Sequence, residues 1–307
     1  MILLSIWDII LQQLINGLIL GSFYALVALG YSMVYGIIKL LNFAHGEIYM
    51  TGAFVCLSVF NLVNGLVPVW LALIVSIISA ILFSGILGYL VQRFAYRPLL
   101  GASRFSVLIT AIGVSLIIYN FVMVKTNGQP QFFISNIDNS SGIKIGSIII
   151  TYMQLILIAV SASLIFGLNL FIGKTMQGKA MRAIALDKDA CRLMGVNVNK
   201  IIAITFIIGS ALAAIAGGLA CVYYGNVQYN MGYTIGIKAF TATIIGGIGS
   251  VPGALLGGLL LGLLEAFGTA LPFVGSQWKD AFAFGLLILV LIFKPNGLLG
   301  KTEIERM

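Results

Sequence analysis

The 307-residue chain carries 17 Lys and Arg, 9 Asp and Glu and a single His, a formal net charge of +8. Only 8% of its residues are charged and 60% are hydrophobic, whereas a soluble globular chain is about 25% charged. A soluble fold of this length exposes too many residues to water to hide that much apolar surface. Soluble enzymes, disulfide scaffolds and disordered chains are therefore excluded, and an integral membrane protein is implied.

Charge-free runs set the elements, because a helix crosses the hydrocarbon core with about 20 apolar residues. Residues 9–38, 48–92, 105–124, 145–173, 201–237, 239–264 and 281–293 hold no charged side chain. The second run is too long for one crossing, and Asn61, Asn64, Gly65 and Pro68 mark a turn inside it. The predicted helices lie near 9–37, 48–63, 69–92, 104–124, 148–172, 201–223, 238–270 and 278–294. The fold class is an all-α polytopic bundle of about eight transmembrane helices in one domain spanning 1–307. Broken or re-entrant segments are expected at Asn42–Glu47 and within 238–270, where Gly246, Gly247, Gly249, Pro252 and Gly253 interrupt the run. No Lys or Arg precedes the first run, so no cleaved signal peptide is expected. Cys56 and Cys221 lie in apolar runs far apart and read as packing residues.

The positive charge reads as an orientation signal, not a nucleic-acid footprint. Arg93, Arg97 and Arg104 share one connection, and Lys174, Lys179, Arg182, Lys188, Arg192 and Lys200 crowd the loop 174–200 against Asp187 and Asp189. Both loops are expected in the cytoplasm, as is the tail 295–307 with Lys301 and Arg306. The Asn/Ser/Gly-rich connection 125–147 is expected outside.

Two nucleotide motifs fail. Gly173-Lys174-Thr175 resembles the end of a phosphate loop, but Leu168 stands where its first glycine belongs. Gly247-Ile248-Gly249 starts a dinucleotide fingerprint that Pro252 ends. The chain is thus read as a non-enzyme with no cofactor, and any ATP use falls to a partner.

Three constellations remain. Leu41-Asn42-Phe43-Ala44-His45-Gly46-Glu47 puts polar groups between strongly apolar runs, where they are expensive unless they face protein or a water-filled cavity. Asn42, His45 and Glu47 are pathway or gate candidates on that ground, with a satisfied helix cap as the structural alternative. His45 lacks a nearby second His or Cys, so no metal site is expected. Next, Gly249, Gly253 and Gly257 recur every four residues, as do Gly258 and Gly262, a spacing that lets helices pack closely in a bilayer. Glu265 shares the face of Gly258 and Gly262 and joins the pathway candidates; Lys238 can reach it only if the segment folds back. Finally, Gly178–Ala185 can form a short helix carrying Met181, Ile184 and Ala185 on one side, with Asp187 capping a second helix that Gly195 ends. Such a helix suits docking into a groove of a partner protein.

These stretches, with Lys238-Ala239-Phe240-Thr241-Ala242, Ala95-Tyr96-Arg97-Pro98-Leu99 and the closing Lys294-Pro295-Asn296-Gly297-Leu298-Leu299-Gly300, resemble LivH-type permeases over nearly the whole chain. LivH is a membrane subunit of bacterial ABC importers for branched-chain amino acids. The resemblance implies a second, LivM-like permease subunit, two ATPase subunits and an extracytoplasmic binding protein delivering Leu, Ile or Val across the inner membrane. It also implies that loop 174–200 couples to the ATPases through Gly178, Lys179, Met181, Arg182, Ala183, Ile184 and Gly195. Permeases for urea or short-chain amides resemble the same motifs, and an ion-coupled secondary transporter using Glu47 and Glu265 is the alternative from a different class.

Overall fold

The computed structural model describes residues 6–99, 101–133, 141–145, 148–271 and 275–300. Lys301, Arg306 and the Asp138–Asn139 part of the 125–147 loop lie outside the described residues. Among the described residues eleven α-helices follow one another: α1 Ile6–Ile38, α2 His45–Val63, α3 Val69–Leu90, α4 Arg104–Lys125, α5 Tyr152–Lys174, α6 Met176–Leu186, α7 Lys188–Leu193, α8 Val198–Tyr224, α9 Met231–Gly246, α10 Val251–Thr269 and α11 Lys279–Phe293. Seven of them are long and apolar enough to cross a membrane, while α9, at 16 residues, and α11, at 15, are shorter. The chain is an all-α polytopic membrane protein.

Helices α1 and α8 form the centre, with α2, α9 and α10 packed against them. Helices α3, α4, α5 and α11 lie outside this layer and expose large apolar side chains such as Ile86, Ile117, Phe166 and Ile292, as a lipid-facing surface requires. The basic loops gather at one end. There Lys188 Nζ donates to the Ile38 carbonyl, Tyr96 reaches Leu41, and the closing segment 294–300 lies on the α9–α10 turn. At the opposite end two short antiparallel pairs form, β1 (Gln131–Phe132) with β4 (Asn226–Val227) and β2 (Gly142–Ile145) with β3 (Ile148–Thr151).

Two element boundaries differ from the sequence expectation, and the break expected within 238–270 is formed. Residues 148–151 form β3, not the first turn of a helix, because the β-branched run Ile148–Thr151 pairs with 142–145 and Thr151 then caps α5 in a capping box with Gln154. Helix α9 starts at Met231, seven residues before the predicted start at 238, because Lys238 sits inside the helix as a buried, paired charge. The run 238–270 breaks at Gly247 and Gly249, whose φ angles of 109° and 85° favour glycine. Ser250 then caps α10 through the Gly253 N–H at 3.2 Å.

The glycines of α10 face two ways. Gly253 and Gly257 lie against Gly246 and Ala242 of α9, where a Cβ on Gly257 would stand 2.0 Å from the Ala242 carbonyl oxygen. Gly258 and Gly262 lie against Ala25 and Gly21 of α1, and Gly249 lies against Gly36. One helix therefore lies almost backbone to backbone against both α9 and α1, a packing that only small residues allow. Segment 294–300 closes the turn: Leu298 N–H donates to Ile245 at 2.8 Å and Leu299 N–H to Gly246 at 2.9 Å.

Candidate functional site

The fold-back of α9 on α10 brings Lys238 to Glu265. Lys238 Nζ lies 2.9 Å from Glu265 Oε1 and 2.8 Å from Asp280 Oδ1, and the Tyr24 hydroxyl donates to Glu265 Oε2 at 2.7 Å. The pair is almost fully buried, with side-chain exposures of 5% and 2%. Both carboxylate oxygens of Glu265 thus have partners within the chain, and the cluster ties α1, α9, α10 and α11 together. A polar cavity of about 340 Å³ opens beside it, lined by Tyr24, Asn230, Lys238, Glu265 and Lys279 among others.

Asn42 and His45 also meet protein. The Tyr96 hydroxyl donates to Asn42 Oδ1 at 3.1 Å and to the Leu41 carbonyl at 3.0 Å, and the His45 N–H donates to the Asn42 carbonyl at 3.0 Å. Segment 39–44 is thereby fastened to the π-helical turn 91–96 that ends α3. The His45 ring sits between Gly30 and Gly209, edge-on to Tyr31 at 4.8 Å. A Cβ on Gly30 would stand 2.3 Å from His45 Nε2. Gly30→Ala is therefore expected to cost about 1–3 kcal/mol through overpacking. The check is the apparent Tm of the detergent-solubilised chain. Adding His45→Ala should restore part of the loss, and an unchanged Tm in the single variant would mean that the ring moves freely.

Glu47 differs from the other candidates. It is 2% exposed, and its Oε1 accepts only a long bond from Ser115 Oγ at 3.4 Å. Its Oε2 has no hydrogen-bond partner and lies over Gly232, where a Cβ would stand 2.6 Å away. The carboxylate lines a cavity of about 420 Å³ between α1, α2, α4 and α9, walled by Tyr31, Phe43, Tyr119, Tyr233 and Phe240. Asn230 lines this cavity and the Lys238 cavity alike.

A family model described as the permease component of the branched-chain amino acid transport system matches residues 13–291. The chain belongs to this permease family.

The permease is 46% identical to the high-affinity branched-chain amino acid transport system permease protein BraD of Pseudomonas aeruginosa, covering 97% of this chain and 98% of that one. It is 41% identical to LivH of Escherichia coli K12, over 97% of both chains. The probable branched-chain amino acid permease LivH of Methanocaldococcus jannaschii is 29% identical over 98% of this chain and 96% of its own.

In the permease, loop 174–200 folds as α6 and α7. Thr175 caps α6 through the Gly178 N–H at 3.0 Å, and Asp187 caps α7 through the N–H groups of Asp189 and Ala190 at 2.8 and 2.9 Å. Gly195, at φ 82°, follows α7. The side expected to dock is instead turned inward. Met181 and Ile184 are 3% and 1% exposed, packed inside the permease. Gly178 lies against the Phe171 and Ile172 carbonyls, and Arg182 donates to the Ile172 and Gly173 carbonyls, so it closes the C-terminal end of α5. Outward lie Lys179 and Ala183, together with Leu186 and Leu193, each 90% exposed, and Met176 and Met194. Burial, with the charges of Arg192 and Lys39, holds the Lys188 ammonium below the usual lysine range against the opposing pull of Asp189.

Sequence reasoning missed Tyr24, Asp280 and Tyr96 as partners, and the aromatic walls around Glu47. Aromatic side chains inside apolar runs carry no spacing signal that separates a cavity wall from ordinary packing.

Proposed function

We propose that this permease is one of two membrane subunits of an ATP-driven importer of branched-chain amino acids in the bacterial inner membrane. Full-length identity of 41–46% to permeases named for that transport carries the reading. A LivM-like subunit completes the pathway, two ATPase subunits bind the basic end, and an external binding protein delivers leucine, isoleucine or valine. The exposed apolar cluster of Met176, Leu186, Leu193 and Met194 supports the ATPase contact, because so many large apolar side chains on short helices in a basic, water-facing loop fit a protein interface. The Glu47 cavity supports a pathway at the face of α4 and α9, where a second permease subunit would close it. The decisive experiment is leucine uptake into proteoliposomes holding the whole complex. Uptake should require ATP on the ATPase side and binding protein on the other; uptake driven by an ion gradient alone would overturn the reading.

Orientation has its own test. The lysine and arginine that crowd loop 174–200 support reading it as cytoplasmic, together with the C-terminal tail. In the permease without its ATPases, Leu193→Cys is expected to react with an impermeant thiol reagent only from the cytoplasmic side, and Lys144→Cys only from the other. Both sites are exposed, whereas the native cysteines Cys56, Cys191 and Cys221 are buried. Reversed labelling would invert the topology.

A further inference from the structure

We infer that Glu47 and the aromatic walls around it form the subsite that receives the α-ammonium group of the amino acid in transit. The inference rests on the transport reading above and adds which end of the substrate this chain handles.

A carboxylate taken out of water is costly unless a cation or several hydrogen bonds replace its hydration. Glu265 meets that condition with Lys238 and Tyr24. Glu47 is buried to the same degree but has one long bond from Ser115 and one oxygen without a partner. Among the described residues no Lys, Arg or His side chain lines its cavity. What does line it is aromatic: Tyr31, Phe43, Tyr119, Tyr233 and Phe240. A carboxylate among aromatic faces is the combination that binds an ammonium group, by a charge-assisted hydrogen bond and by cation–π attraction. Such a site discriminates against a carboxylate end, which would meet the like charge of Glu47. Ile112, Leu116 and Ile237 add an aliphatic stretch to a wall that also holds Ser115 and Asn230, and that stretch suits the branched side chain of the same substrate. The volume of about 420 Å³ falls in the range of small-ligand sites. Glycine at 232 matters here, since any side chain would occupy the place of Glu47 Oε2.

The test is uptake of labelled leucine by the reconstituted complex at saturating binding protein. Glu47→Gln keeps the shape and the Ser115 contact but removes the charge. It is expected to lower uptake at least tenfold, with the partner permease and ATPases still copurifying. Glu47→Asp should retain a substantial part of the uptake. Gln-variant uptake within twofold of wild type overturns the inference. Loss of the partner permease on purification also overturns it, because the counter-ion of Glu47 would then be a cation of that subunit. If Glu47→Gln fails to accumulate, Tyr233→Leu reads the same site from its exposed rim; uptake should fall severalfold, and unchanged uptake overturns the inference. A wild-type complex that takes up no leucine removes the transport reading itself, whereas a working wild type with an unaffected Glu47→Gln removes only the ammonium subsite.

Discussion

Glu265→Gln is expected to cost the permease about 3–5 kcal/mol of stability and most of its assembled complex. The amide keeps a carbonyl for the Tyr24 hydroxyl but leaves the Lys238 ammonium, buried at 4% exposure, with Asp280 as its remaining carboxylate. Asp280 is half exposed and screened by solvent, so it compensates poorly, and Asp280→Asn alone should cost about 1 kcal/mol or less. Replacing both buried charges, Lys238→Met with Glu265→Leu, should recover most of the loss, because the Tyr24 hydroxyl loses only a neutral donor's acceptor and Asp280, which loses Lys238, is half exposed to solvent. Apparent Tm in detergent and the yield of the copurified complex are the readouts. If Glu265→Gln assembles normally and alters transport alone, Glu265 is a pathway group and its ion pair is incidental. On the sequence alone those two roles were open alternatives, and the contacts with Tyr24 and Lys238 favour the structural one.

The helices were legible because charges bound most of them, and the same rule explains where the reading slipped. A charge marks a helix end only if it is solvated. Lys238 is neutralised by Glu265 across a helix hairpin, so the helix runs through it and starts at Met231. That pairing depends on two turns of positive φ at Gly247 and Gly249, and a glycine-rich string shows that a break is allowed without showing that the chain reverses there. The glycine spacing in α10 was legible as close packing, but a period of four cannot tell that Gly257 faces α9 while Gly258 faces α1. The caps at Asp187 and Thr151 were of different legibility. Asp187 precedes an evident helix, whereas Thr151 ends a β-branched run of Ile148–Ile150 that also reads as apolar helix. Around Glu47, sequence identified the costly group but not its surroundings, since Tyr119 and Tyr233 come from helices far away in the chain.

Leu193→Asp is expected to release the ATPase subunits without unfolding the permease, and Ile184→Asp to do the opposite. Helix α6 carries two apolar stripes at helical spacing: Gly178, Met181 and Ile184 on one side, and Met176, Ala183 and Leu186 on the other. Sequence spacing cannot choose between them. In the fold the first stripe is buried against the rest of the permease, and Gly178 fits closely against the end of α5. The second stripe stays open, as do Leu193 at the end of α7 and Met194 after it. A buried apolar anchor at a protein interface commonly contributes about 2–4 kcal/mol, or roughly 30- to 1,000-fold in affinity. Leu193→Asp or Leu186→Asp should thus abolish copurification of the ATPases while the apparent Tm of the permease alone stays within a degree or so of wild type. Ile184→Asp buries an unpaired carboxylate, so the permease itself should melt lower and accumulate less. Lys179→Ala, an exposed rim charge, should weaken the contact by less than about 1 kcal/mol, most visibly at low salt. Substrate-stimulated ATP hydrolysis of the reconstituted complex, read beside copurification, separates lost binding from lost coupling. If Leu186→Asp and Leu193→Asp both leave hydrolysis and copurification intact, the ATPases engage a different part of the basic end, and α6 with α7 serves only to brace α5 against α8.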